Sequence, residues 1–284
     1  MTVFEANKTL INKLCKIYDN REATNIADMV IEHVTGLTKI QRLIVKQFVL
    51  SVEQQQQLQT LMVQLLESKP VQYVLHEAWF CGLKFYVDEN VLIPRPETEE
   101  LVYAVVEQSI NKKYSILDIG TGSGCIAIST KKKLPLSNVY ALDISNKSIE
   151  IAKENARKND VQVNFFQADI LNFDTNINLP AFDIIVSNPP YIKQSESKTM
   201  SQNVLQYEPH LALFVFDEDP LLFYKAIADF GLKHLNTCSG KLFFEINEAM
   251  GNQVAALLKE KGFSEIVIQK DLQQKERIVC AVLR

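Results

Sequence analysis

The sequence lacks the marks of a secreted, membrane-spanning or polyanion-coated protein. Its five cysteines, Cys15, Cys81, Cys125, Cys238 and Cys280, stand far apart with no Cys-x-x-Cys pair. Such spacing argues against a zinc site or a disulfide frame and for reduced thiols in a core, so no metal is expected. The longest uninterrupted apolar run, Leu211 to Phe216, is too short to cross a bilayer. The opening residues show no basic stretch followed by an apolar one, so a cytoplasmic protein without a membrane partner is expected. Basic charge is also scarce. The net charge is −4, and the first 70 residues hold 8 Lys and Arg against 7 Asp and Glu. The broad positive surface of a protein living on nucleic acid is missing, and no stable nucleic-acid partner is expected.

What is present is an ordinary globular composition over 284 residues, 47% hydrophobic and 23% charged, enough for one large domain and a smaller one. A monomer is the default expectation. Residues 1–69 read as helices only, with apolar positions Leu10, Leu14 and Ile17, then Ile26, Met29, Val30 and Val34, then Leu58, Leu61, Met62, Leu65 and Leu66. Thr38-x-x-Gln41 and Ser51-x-x-Gln54 have the form of capping boxes. Residues 70–97 read as a linker, with a β-hairpin across Val71 to Val87 around Cys81-Gly82. From 98 to 284 the pattern alternates, with strands expected near 115–119, 138–142, 163–166, 183–187, 241–246, 264–270 and 277–283. That is an α/β doubly wound sheet. Only six residues separate the last two strands, so the final one enters antiparallel, as in the class I S-adenosylmethionine-dependent methyltransferase sheet.

The first of these strands runs through Asp118 into Gly120-Thr121-Gly122-Ser123-Gly124 and then a helix from about Cys125. Such a loop brings backbone N–H groups to a ligand at a helix N-terminus, where the dipole favours a carboxylate or a phosphate. A dinucleotide fingerprint wants glycine or alanine at 125, so the presence of Cys125 points toward S-adenosylmethionine. Asp143 closes the second strand, where a carboxylate accepts both ribose hydroxyls, a device that NAD enzymes share. Asp169 closes the third, placed for an adenine amine with Ile170 against the ring, and Asp118 is placed for a methionine ammonium group. A single strand-end Asp is more often a cap or turn residue. Three beside one glycine loop read as a nucleoside site.

The most informative segment is Asn188-Pro189-Pro190-Tyr191, after the strand-like run Phe182 to Ser187. A planar nitrogen is a poor nucleophile because its lone pair is delocalised. The Asn188 side-chain oxygen and the Pro189 carbonyl are two acceptors for its N–H groups, and Tyr191 offers a ring to the flat face. Proline stiffens the loop and removes competing donors. Taken alone, Asn-Pro-Pro is a turn closing a strand; beside the glycine loop it reads as a methyltransferase site for a planar nitrogen.

Pro70-Val-Gln72-Tyr73-Val-Leu75 and Val91-Leu92-Ile93-Pro94-Arg95-Pro96-Glu97-Thr98-Glu99, with the tetrapeptide, Glu208-Pro209, Ala212-Leu213, Phe244-Glu245-Ile246, Asp271-Leu272 and Arg277, resemble the protein-glutamine methyltransferases of peptide chain release factors (HemK/PrmC type) over nearly the whole chain. The resemblance implies methyl transfer from S-adenosylmethionine to the amide nitrogen of glutamine in the release factors' Gly-Gly-Gln loop. It makes those factors the partner, gripped with the help of the helical domain. It casts Asn188, Pro189 and Tyr191 as catalytic, Pro190 as shaping the substrate pocket, Asn188 as also facing the cofactor, and the Pro94 to Glu99 segment as lining the cleft. Two other readings share the motifs: an amino-methylating DNA or RNA enzyme, and a non-catalytic adenosyl-binding subunit. The chain departs from the family pattern where glycine is frequent, at His76, Asn247, Gln274 and along Val215 to Pro220.

Overall fold

The computed structural model describes every residue of the chain except Lys46, Ile110, Asn111, Thr175, Asn176 and Cys238. Cys238 therefore lies outside the described residues; of the other expected core thiols Cys125 is buried, Cys81 and Cys280 are partly buried and Cys15 is exposed. By internal contacts the chain forms two compact units, one of residues 1–77 with 201–207 and one of residues 78–200 with 208–284.

In the first unit, α1 (Val3–Leu14), α2 (Asn20–Thr35), α4 (Val52–Leu66) and α5 (Val71–Leu75) share one apolar cluster, to which the short α3 (Lys39–Ile44) adds no residue. Leu10, Leu14, Ile31 and Leu65 are fully buried in it. The buried stripe of α2 runs through Ala23, Ile26, Ala27, Val30, Ile31 and Val34, so Met29 falls off it and is exposed. Ile17 lies beyond the end of α1 and is exposed as well. Both expected capping boxes form, and a third, Thr2 with Glu5, opens α1.

The hairpin is shorter than the composition of 71–87 suggests. Pro70 starts the helix α5, and Val71, Val74 and Leu75 face the helical cluster. Burial there overrides the strand preference of Tyr73 and Val74. Strands β1 (Ala78–Phe80) and β2 (Leu83–Phe85) pair antiparallel across Cys81 and Gly82, both at positive φ, as a tight two-residue hairpin turn requires.

Seven strands form the sheet of the second unit: β3 (Ser115–Ile119), β4 (Asn138–Asp143), β5 (Asn164–Gln167), β6 (Ile184–Ser187) and, numbered after the short pair β7 (Ile192–Lys193) and β8 (Phe214–Val215), β9 (Lys241–Glu245), β10 (Phe263–Lys270) and β11 (Glu276–Leu283). Their order is β10-β11-β9-β6-β3-β4-β5. β11 is antiparallel to both neighbours, as the short link before it demands. β3, β6 and β9 are buried almost throughout, the pattern of strands covered on both faces. The helices fall into two touching groups. One holds α6 (Pro96–Glu107), α7 (Cys125–Lys133) and α8 (Asn146–Lys158). The other, after the short α9 (Gln202–Tyr207), which belongs to the first unit, and α10 (His210–Leu213), holds α11 (Leu222–His234) and α12 (Gly251–Glu260).

Two of the departures from the family pattern have a backbone explanation: His76 and Gln274 sit at φ of 53° and 67°, the left-handed region that glycine enters without strain. Among the described residues no helix is long and apolar enough to cross a membrane.

Candidate active site

The chain order places β3 centrally, with β4 and β5 on one side and β6 and β9 on the other. Open α/β sheets bind ligands at the carboxyl ends of strands beside such a reversal of order. A cavity of about 350 Å³ lies there, within the roughly 300–1,000 Å³ usual for small-molecule sites.

Gly120 and Gly122 line it from the loop after β3, and Asp143 from the end of β4. Asp169 and Ile170 enter after β5, and Asn188, Pro189 and Pro190 after β6. A Cβ at Gly120 or Gly122 would meet no protein atom within 4 Å, so the space above the loop is left for a ligand. Gly124 serves packing instead, since a Cβ there would stand 2.8 Å from Ile128 Cδ1 and 3.0 Å from Ala152 Cβ.

Asp118, Thr121, Ser123 and Gly124 lie outside the lining. Asp118 is fully buried, accepting from Thr121 Oγ1 at 2.6 Å and from the Ala127 N–H at 3.2 Å, while its other oxygen, Oδ1, accepts no hydrogen bond. Burial raises its carboxyl to about 7, and the two donors offset part of that. Asp118 thus braces the glycine loop from beneath. Ser123 is held through its carbonyl, which accepts from Asn155 Nδ2 at 2.9 Å; Asn155 also bonds both backbone groups of Tyr86.

Asp143 accepts from the N–H groups of Gly122 and Ser145, each at 2.9 Å. Each carboxylate oxygen keeps a second lone pair for a ligand hydroxyl. Burial raises its carboxyl and the N–H bonds work against the shift. Asp169 caps a single turn at Ile170–Asn172, accepting from the Leu171 N–H at 2.8 Å and from Asn172 Nδ2 at 2.9 Å.

Tyr191 lies outside the cavity lining, its hydroxyl donating to Glu245 Oε1 at 3.1 Å. Burial, then the neighbouring Glu245 charge, pushes its phenol well above the usual range. Asn188 Nδ2 donates to Thr98 Oγ1 at 3.2 Å, and Thr98 Oγ1 donates to Glu245 Oε2 at 2.7 Å. Of the Pro94 to Glu99 segment it is Thr98 that reaches the tetrapeptide, whereas Glu89 to Leu92 line the cavity. Glu208 clasps this segment, accepting from Arg95 Nη2 at 2.6 Å and from the Ile93 N–H at 3.4 Å, just ahead of cavity residues Pro209 and Leu211.

The glycine-lined space, two carboxylates with spare lone pairs and the apolar surface of Ile170 for a purine ring fit S-adenosylmethionine. Among the described residues no group of three or more His, Cys, Asp and Glu is gathered to hold a metal ion.

Comparison with known proteins agrees with this geometry. The family model described as PrmC N-terminal domain matches residues 8–75, and that described as Methyltransferase small domain matches residues 98–211. The release factor glutamine methyltransferase of Flavobacterium psychrophilum is 42% identical over 95% of this chain and 95% of its own length. The chain belongs to the release factor glutamine methyltransferase family. The family's enzyme from Bacteroides thetaiotaomicron is 41% identical over 93% of this chain and 94% of its own. A crystal structure of a methyltransferase from Pyrococcus furiosus shares the fold alone, with a TM-score of 0.52 and 18% identity over 71% of this chain and 89% of that one.

As a member of that family the protein is an enzyme, and S-adenosylmethionine is its cofactor. Glu245 and Thr98 stood in segments that carry the resemblance, without a role of their own. The available signal was Glu245 as a fourth acid at a strand end, after the apolar run Leu242-Phe243-Phe244. Asn155 gave none, because its partners lie 32 and 69 residues away.

Proposed function

We propose that this protein methylates the side-chain amide nitrogen of glutamine in the Gly-Gly-Gln motif of peptide chain release factors. The observation that carries the reading is the one cavity that Asn188, Pro189 and Pro190 line together with Gly120, Gly122 and Asp143. A nucleoside site and a pair of acceptors for a planar nitrogen thereby share one space.

S-adenosylmethionine, when bound, supplies a methyl group on a positively charged sulfur. Gly120 and Gly122 admit it, Asp143 holds its ribose, and Ile170 and Asp169 face the adenine. Asp118, with Thr121, Ser123 and Gly124, keeps the loop in shape. Asn188 Oδ1 and the Pro189 carbonyl each accept one N–H of the glutamine amide, fixing the nitrogen in place, and Pro190 bounds the pocket. Tyr191, outside the cavity lining and held by Glu245, is placed at the tetrapeptide's end, where its ring can reach the flat face of the carboxamide. As the new N–C bond formed, the carbon–sulfur bond would break to leave a neutral thioether; positive charge would build on the nitrogen, where the two acceptors stabilise it, and one N–H proton would then pass to water. No strong base is required.

The test is incubation of an unmethylated release factor with the protein and S-adenosylmethionine, followed by mass spectrometry of the Gly-Gly-Gln peptide. A gain of one methyl on the glutamine supports the reading. No gain, with cofactor binding intact and methyl transfer to a short DNA or RNA duplex instead, overturns it.

A further inference from the structure

The tetrapeptide's two polar side chains converge on one carboxylate. Glu245 ends β9, is 1% exposed, and its backbone is pinned by the Tyr224 hydroxyl, which donates to the Glu245 carbonyl at 3.0 Å. Its Oε1 takes the Tyr191 hydroxyl and its Oε2 the Thr98 hydroxyl.

The consequence follows from counting protons. Both carboxyl oxygens of Glu245 accept, Oε1 from Tyr191 and Oε2 from Thr98, and the Thr98 hydroxyl has one hydrogen, which Oε2 takes. Thr98 therefore turns a lone pair to Asn188. Only the Nδ2 of Asn188 can answer it, and that is the contact observed at 3.2 Å. With Nδ2 so engaged, Oδ1 is the atom left to the cavity that Asn188 lines. Isolated asparagine has no such preference, because its two ends are alike in size and exchange by a half turn.

We propose that Glu245 and Thr98 are positioning residues that fix the hydrogen-bond polarity of the methyl-acceptor site, holding Asn188 with its oxygen toward the substrate and Tyr191 in place. The site then presents acceptors only, Asn188 Oδ1 and the Pro189 carbonyl. It admits a carboxamide NH₂ and refuses a carboxylate, which brings no hydrogen. Discrimination between glutamine and glutamate thus originates at Glu245, two hydrogen bonds from Asn188 and three from the substrate. The inference rests on the glutamine-methylating reading for its substrate, though not for the orientation of Asn188.

Three variants test it. Thr98→Val keeps the shape and removes the hydroxyl, Thr98→Ser restores the hydroxyl, and Glu245→Gln gives Thr98 a donor for a neighbour and so frees Asn188 to turn. With release factor as substrate, kcat is expected to fall about 10–100-fold in Thr98→Val and Glu245→Gln, the range seen when a group orienting a functional ligand is lost. KM for the release factor and calorimetric affinity for S-adenosylhomocysteine stay within about threefold. Thr98→Ser recovers most of the rate.

A second readout needs no turnover: the side-chain amide signals of Asn188 in ¹⁵N-asparagine-labelled protein, assigned by their loss in Asn188→Ala. They are expected to shift in Thr98→Val and Glu245→Gln and to return in Thr98→Ser. Unmoved signals in folded Thr98→Val overturn the inference, whether or not methylation is seen. So does a rate loss that serine fails to rescue. A wild-type protein that leaves release factor unmethylated while these signals shift as expected defeats the proposed substrate and leaves the polarity relay standing.

Discussion

Among the described residues, the helical unit buries one charged side chain, Arg42, whereas the sheet unit buries four carboxylates, Asp118, Glu208, Glu245 and Asp271. Arg42 is neutralised locally, by the Asp28 carboxylate at 2.9 Å and the Asp28 carbonyl at 3.1 Å. Two of the sheet unit's buried acids, those nearest the tetrapeptide and the segment before α6, are held by long-range donors, Thr98 to Glu245 across 147 residues and Arg95 to Glu208 across 113, whereas Asp118 and Asp271 are held by near neighbours in sequence. Burying a charge costs free energy that pairing rarely returns in full. The helical unit therefore stands on apolar stripes and capped ends, while the sheet unit gives up stability to fix donors and acceptors around its cavity.

The largest effect that sharpens this contrast is on activity without stability. Asn188→Ala removes a proposed acceptor at the reacting nitrogen and should lower kcat by about 10²–10³-fold, as the loss of one preorganised partner typically does. S-adenosylhomocysteine affinity and Tm should hold within narrow limits. Equal loss of rate and cofactor binding would mean that the division between the tetrapeptide and the nucleoside residues is drawn wrongly.

The converse is Leu65→Ala in the helical unit, where a fully buried leucine of α4 leaves the apolar cluster. A destabilisation of about 2–5 kcal/mol is expected, read by urea unfolding. S-adenosylhomocysteine affinity, measured below the transition, should not change. A drop in that affinity would break the contrast, because it would make the nucleoside site depend on the helical cluster.

Legibility followed the same divide. The strands, the antiparallel last one and both capping boxes were readable because periodicity, turn length and Ser/Thr-x-x-Gln act over a few residues. Gly120, Gly122, Asp143 and Asp169 come to one cavity because one loop and two strand ends place them there, whereas Asp118, read from the sequence with them, lies outside its lining. Thr98, Asn155 and Glu245 could not be given roles, since each acts through partners 32 to 147 residues distant that only the folded sheet brings near. Tyr73 and Val74 suggested a strand because their composition carries no information about the cluster that α5 joins.

Asp118 gives an intermediate effect with a definite sign. Its carboxyl rises to about 7 from an ordinary 3.8 because of burial. A raised folded-state value means stability that is present in full below the unfolded pKa and lost as pH rises through about 7. Asp143 and Glu245, both raised by burial, act in the same direction. Asp118→Asn keeps an acceptor for Thr121 and Ala127 and cannot ionise, so its Tm should decline less than that of the wild type as pH rises from about 4 to 7, between the unfolded and folded values. For a chain of this size each 1 kcal/mol retained is worth roughly 2–4 °C. Parallel curves would show that Asp118 does not titrate in this window.

Capping tests the local side of the contrast. Ser51→Ala should cost about 1 kcal/mol, the ordinary value of an N-cap. Gln54→Ala should cost more, because Gln54 both completes the box with the Ser51 N–H at 3.0 Å and ties down the Val34 carbonyl of α2 at 3.1 Å. A cost for Gln54 no greater than for Ser51, by urea midpoint, would show the tether to be idle.

The smallest change is expected to stabilise. Gln274 holds φ at 67° in the turn between β10 and β11, exposed, with its N–H donating to the Asp271 carbonyl at 2.8 Å. Asp271 shapes the same turn by accepting from the N–H groups of Gln273 and Lys275, each at 2.9 Å, and from Arg277 Nε at 3.2 Å. A side chain in the left-handed region costs about 1–2 kcal/mol, while glycine gives back part of the gain through its freer unfolded chain. Gln274→Gly should therefore raise stability by roughly 0.5–1 kcal/mol and leave kcat unchanged. A loss of stability would instead mean that the Asp271 bonds already hold the turn at no strain, so that the long-range sheet unit, like the helical one, has local order of its own at this corner.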